Sequence, residues 1–210
     1  MWAAALFDPA LDAPDREWCY AAQSTTVIGM PFVPEPVQVT YDGAIYTRNA
    51  ELAFFYGEHL KPVMARNKTF LEGWIPVVGY AWWDGDIRYE LEMFSAELPE
   101  LGRSNLLQCV RFGMANLGTA SARGVLAAAI RGSAESFRLG RVHRPVTPAT
   151  AFAVEENGFW RDGKLVYWFT PGAEFQAVPG LMYTNRYTAR DYSLTDRAET
   201  GLAVYRRTLA

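Results

Sequence analysis

The chain has 210 residues, half of them hydrophobic and 14% aromatic, enough to bury one substantial core. A formal charge of −3 and a pI near 5.5 provide no basic face for phosphate backbones, so no nucleic-acid partner is expected. The longest bland run, GVLAAAI at 124–130, falls far short of the about 20 apolar residues that span a bilayer, so no membrane partner is expected either.

Residues 1–35 are rich in Pro, Asp and Ala and are read as an irregular segment packing on the rest, with one short strand candidate, STTVIG at 24–29. WAAALFDPALDAPDREW after Met1 lacks both a basic start and a long apolar stretch, so it does not read as a signal peptide. The expected location is cytoplasmic, or secreted or periplasmic if a leader has been removed. From residue 36 onward, short apolar runs alternate with turn dipeptides, and 36–210 is read as a single β-sandwich domain. The first runs are VQVTY (37–41), AIYT (44–47), ELAFFYG (51–57), PVVGYAWW (76–83) and DIRYELEMF (86–94). LLQCVRFGMA (106–115), RGVLAAAIRG (123–132), ESFRL (135–139), TAFAVEE (150–156), KLVYWF (164–169), EFQAV (174–178) and GLAVYRRTL (201–209) follow.

Between these runs lie Asp42-Gly43, Asp84-Gly85, Asn116-Leu117-Gly118, Asn157-Gly158, Asp162-Gly163 and Pro171-Gly172. Asn-Gly and Asp-Gly pairs tolerate positive φ and close two-residue hairpins. Within 87–94, Ile87, Tyr89, Leu91 and Met93 share one face while Arg88, Glu90 and Glu92 share the other, which is the two-residue repeat of a half-buried strand. Only 59–73 (HLKPVMARNKTFLEG) and 193–199 (SLTDRAE) have room for a short helix, and Pro62 interrupts the first. The expected fold is all-β: a two-layer antiparallel sandwich of about a dozen strands with at most one or two short helices.

Chemistry is sparse. Glu90 and Glu92 project from one strand face roughly 6.5–7 Å apart at Cα, near the carboxylate spacing of inverting glycosidases. They, or a more distant carboxylate such as Asp86, are the candidate acid–base residues of a small hydrolase. The competing reading is a solvated, charge-alternating sheet face, and neighbours on one strand do not flank a bond from opposite sides. His59 and His143 stand in unrelated polar contexts, without a nucleophile motif. Cys19 and Cys109, 90 positions apart, form no metal or redox motif, and read as two buried thiols or one long-range disulfide. There is no Gly-rich phosphate loop, so neither metal nor cofactor is expected.

Aromatic residues are the strongest signal: seven Trp, eleven Tyr and twelve Phe. A flat ring can stack on the C–H face of a pyranose, but it fills a sandwich core equally well. Adjacent strand residues point to opposite faces, so Trp82 and Trp83 should divide, one inward and one at the rim or outer face. Trp82, Trp83, Trp160 and Trp168 are the candidate carbohydrate-stacking residues, against core or interdomain packing as the alternative.

YELEMFSAEL (89–98), NLLQCVRFGMANLGTASARGVLAAAIRG (105–132), and GFWRDGKLVYWF (158–169) followed by GLAVYRRTLA (201–210) together resemble the N-terminal β-sandwich (supersandwich-like) domain of six-hairpin (α/α)6-barrel glycoside hydrolase-like proteins. The resemblance spans roughly 35–210 and includes a strand ending in Asn116-Leu117-Gly118. It implies a non-catalytic domain of a larger carbohydrate-active protein, packing against a C-terminal helical barrel that carries the catalytic carboxylates. No catalytic residue carries over to this chain. Its end at TLA falls where a linker to the barrel would be expected. Three expectations result: an accessory domain of this kind, an autonomous carbohydrate-binding module acting on a polysaccharide or oligosaccharide, or a small glycoside hydrolase.

Overall fold

The computed structural model describes residues 26–30, 33, 36–39, 43–46, 50–63, 68–98, 100, 106–132, 153–161, 163–179 and 199–210. These residues are all-β, in antiparallel sheets of sandwich-like arrangement, with no α-helix among them. The strand candidate at 135–139, Cys19, His143 and the helix candidate at 193–199 lie outside them, except for Glu199, which is in a strand. The chain divides into two compact units: residues 1–47, 63–124 and 208–210, and residues 48–62 and 125–207.

In the first unit, β1 (Thr26–Ile28), β2 (Val37–Val39) and β3 (Ile45–Tyr46) form one antiparallel set. A second sheet runs in the order β6 (Thr69–Leu71), β7 (Ile75–Asp84), β8 (Ile87–Glu97) and β9 (Leu106–Asn116). The predicted alternation on β8 is realised, with Ile87, Tyr89, Leu91 and Met93 buried and Arg88, Glu90 and Glu92 half-buried. The two sets meet where Gly43 (φ 79°) crosses the inner face: a Cβ there would lie 3.7 Å from both the Met93 methyl and the Tyr80 ring.

The β7–β8 hairpin closes one residue later than the dipeptide rule predicts. Asp84 pairs with Ile87, so the two turn residues are Gly85 and Asp86. Gly85 has φ 62° and Asp86 is not left-handed, the type II′ pattern with glycine first. This register pairs Trp82 with Tyr89 and Trp83 with Arg88. The two tryptophans divide: Trp82 is fully buried and stacks on Tyr89 (centroids 5.6 Å apart, planes at 12°), while Trp83 is 37% exposed.

The segment 59–73, which had room for a short helix, forms none in its described part. Gly57 (φ 72°) and Leu60 (φ 48°) turn the chain so that β5 (Lys61–Pro62) pairs back on β4 (Ala50–Tyr56). Pro62, with φ fixed and no N–H to donate, is at home at the end of so short an edge strand. Further on, Glu72 (φ 53°) and Gly73 (φ 79°) close a hairpin between β6 and β7.

In the second unit β4, β10 (Ala122–Gly132), β15 (Glu199–Leu209) and β14 (Glu174–Pro179) lie side by side in that order; the ends of β10 and β15 belong to the first unit. The bland run on β10 is buried continuously from Gly124 to Ala129, as a strand covered on both faces must be. Its alanines face large partners on β4: Ala127 pairs with Phe55 and Ala128 with Phe54. Ala53, Phe55, Val125, Ala127, Ala129, Leu202 and Val204 form one core cluster, with Leu60 packed on it.

A three-stranded meander, β11 (Ala153–Glu155), β12 (Gly158–Arg161) and β13 (Lys164–Trp168), completes this unit. Its inner face is anchored by Phe159, fully buried and edge-on to Phe169 and Phe175 at 5.7 and 5.5 Å between centroids. The Tyr205 hydroxyl donates to the Thr170 carbonyl (3.0 Å), tying β15 to the loop after β13. Burial pushes the Tyr205 phenol above its ordinary value, outweighing the downward pull of its hydrogen bond with the Thr170 side-chain hydroxyl (3.2 Å) and of the Arg207 charge.

Two predictions follow from this packing. Trp82→Ala should cost about 3–5 kcal/mol of stability and Trp83→Ala less than about 1 kcal/mol, read from denaturant unfolding; similar losses for both would contradict the register. Because the folded state raises the Tyr205 pKa, the neutral phenol's stabilisation is complete below the unfolded value of about 10 and is lost as pH rises through the folded value. The stability difference between the wild type and Tyr205→Phe should therefore move against the wild type as pH rises past about 10, whereas a constant difference would refute the assignment.

Candidate functional site

The acid–base candidates sit on the outer face of the β6–β9 sheet. On β8, Glu90 pairs with Arg88 of the same strand (2.8 Å), and Glu92 with Arg111 of β9 (2.7 Å). The register flanks Glu90 with Ala81 and Gly113, and its side chain lies over Gly113, where a Cβ would meet it at 3.4 Å. The two carboxylates are thus neighbours on one open face, each beside a guanidinium. They do not face each other across a space in which a glycosidic bond could sit.

Asp86 is a turn residue. Its carbonyl accepts the Leu117 N–H (2.8 Å), and its side chain fills the space above Gly118, where a Cβ would come within 2.6 Å of Oδ2. The β9–β10 connection is further fixed by Asn116, whose Oδ1 accepts the Gly118 N–H (3.0 Å) and whose Nδ2 donates to the Ala120 carbonyl (2.7 Å). The Asn116-Leu117-Gly118 turn thus has a mechanical explanation. His59 is an exposed turn residue. Cys109 is a half-buried free thiol whose pKa burial pushes up, which makes it a weak nucleophile. Among the described residues no group of three or more His, Cys, Asp or Glu could hold a metal ion, and no helix is long and apolar enough to cross a membrane.

Of the four tryptophans, Trp82 lies wholly inside the core and offers no face to a ligand. Trp83 is part-exposed at the end of β7. Trp160 and Trp168 share one sheet and one face of it, since Trp168 stands opposite Gly158, two positions before Trp160. On the β12–β13 pair, Gly158 stands opposite Trp168, Phe159 opposite Tyr167 and Trp160 opposite Leu165, so Val166 is the extra residue. The bulge restores Leu165, three positions before Trp168, to the same face. That face carries Ala153, Glu155, Gly158, Trp160, Leu165 and Trp168; the opposite face carries Phe159 and Tyr167.

Exposure follows the same division. Trp168 is 59% exposed, Leu165 46% and Trp160 half-buried, whereas on the opposite face Phe159 is fully buried and Tyr167 half-buried, with Val154 at the edge exposed. Trp160 is oriented by its indole N–H, which donates to the Glu155 carbonyl (3.3 Å). The β11–β12 turn is formed by Glu156 (φ 44°) and Asn157 (φ 63°), both left-handed, so the turn precedes the expected Asn157-Gly158 pair by one residue. Gly158 is instead a strand residue needed for close approach: a Cβ would stand 2.6 Å from Leu165 Cδ1 and 3.0 Å from the Tyr167 carbonyl oxygen.

One exposed aromatic escaped the sequence reading. Trp74, 75% exposed, is at the tip of the β6–β7 hairpin beside exposed Leu71. Gly73 was its available signal, masked by a helical reading of 59–73. No protein-family model matches this chain, and no curated protein or solved structure matches it significantly.

If Glu90 and Glu92 only balance neighbouring arginines, Glu90→Gln and Glu92→Gln should each shift stability by no more than about 1 kcal/mol in denaturant unfolding; a loss of several kcal/mol would reveal a role beyond such half-buried ion pairs.

Proposed function

We propose that this chain is a non-catalytic β-sandwich domain of a larger carbohydrate-active protein, and that it holds a glycan against the open face of β11–β13. The observation that carries this reading is the presence of two indoles, Trp160 and Trp168, on one open sheet face with Leu165 between them. Rigid flat rings present apolar area at little conformational cost, which suits the C–H face of a sugar ring. The ion-paired setting of Glu90 and Glu92 and the structural use of Asp86 support a binding role over hydrolysis.

An exposed aromatic face also suits packing against another domain. The helical (α/α)6 barrel implied by the resemblance is the partner for that second reading, which draws on the same exposed Trp168 and Leu165. Titrating a panel of plant and microbial polysaccharides while following tryptophan fluorescence separates the two. A saturable shift that disappears in Trp168→Ala and persists in Trp74→Ala is expected. A flat response across the panel would reject glycan binding and leave domain packing as the use of this face.

A further inference from the structure

The open face of β11–β13 has a shape and a charge that narrow its ligand. Trp160 and Trp168 are diagonal neighbours across two strands, on the order of 7–8 Å apart at Cα. Leu165 is directly opposite Trp160 and leans over Gly158, which is directly opposite Trp168. Indole, isobutyl group and indole therefore form one apolar strip, longer than a single six-membered ring. Gly158, having no side chain, raises no step within it. The only charged group among the described residues of this face is Glu155, opposite Gly158, while Lys164 alternates to the other side. A carboxylate accepts hydrogen bonds from hydroxyls and repels anionic sugars.

Resting on the carbohydrate reading above, we infer that this strip binds an uncharged glycan along its length, contacting at least two consecutive pyranose rings, with Glu155 accepting hydrogen bonds from ring hydroxyls. The Trp160 N–H is already engaged with the Glu155 carbonyl, so this indole contributes its face and not its polar edge. The described strip runs across two strands, so internal rings of a chain are its expected ligand.

The test is calorimetric titration of the full chain with linear neutral oligosaccharides, from monosaccharide to hexasaccharide, with end-capped chains and with the anionic polymers polygalacturonate and alginate. Affinity should rise by about tenfold or more from monosaccharide to trisaccharide and then level off. Capping both ends should leave it unchanged, and the anionic polymers should bind more weakly. Trp168→Ala should weaken trisaccharide binding by about tenfold, as an exposed stacking ring would. Trp168→Phe and Trp160→Phe, which keep a flat ring, should retain most of it, and circular dichroism should report an intact fold for each. Equal affinity for monosaccharide and hexasaccharide, loss on capping, or a preference for anionic polymers would overturn this inference while leaving glycan binding in place. Absence of binding to every sugar tested would overturn the carbohydrate reading itself.

Discussion

In a pleated strand successive side chains leave on opposite sides, so the pairing register between neighbouring strands decides where each residue goes. A shift of one residue between β7 and β8 would expel Trp82 and bury Trp83. What prevents it is the tight Gly85-Asp86 turn together with the alternation on β8, where Ile87, Tyr89, Leu91 and Met93 all need the inner face. The same constraint governs the meander, where an extra residue at Val166 resets the register and gathers Leu165 and Trp168 on one side. Removing that bulge would place Trp160 opposite Val166 and turn Leu165 away from the strip.

Small residues appear where strands or loops must approach closely. Gly113 makes room for Glu90, Gly118 for Asp86 and Gly158 for Leu165. Along β10 the alanines accommodate the phenylalanines of β4, and the strand is buried on both sides. These positions explain the chain's glycine- and alanine-rich segments through packing. They also account for two of the three carboxylates that sequence spacing singled out: Glu90 and Asp86 each lie against a glycine, and Glu92 is matched by Arg111.

Much of this was legible in the sequence. The two-residue repeat of 87–94 and the spaced turn dipeptides indicated an all-β antiparallel fold, and strict alternation implied that Trp82 and Trp83 must part. Less was legible where a local rule had a near-equal rival. Gly85 can serve as the first or the second residue of a turn, and the structure uses it first, with Asp86 following. Glu156, an unexpected left-handed residue, displaced the Asn157-Gly158 turn by one. Residues 59–73 have helical spacing, yet the left-handed positions at Leu60, Glu72 and Gly73 break them into hairpins. The bulge at Val166 has no signature in composition, so the placement of Leu165 beside Trp160 and Trp168 becomes visible only through pairing.

The binding role assigned to the β11–β13 face depends on that pairing more than on any single exposed ring. Cross-strand nuclear Overhauser contacts in the isotopically labelled chain examine it directly. Backbone contacts should pair Gly158 with Trp168, Phe159 with Tyr167 and Trp160 with Leu165, with Val166 unmatched. Contacts pairing Trp160 with Val166, in an unbroken ladder, would put Leu165 on the face opposite Trp168 and contradict it.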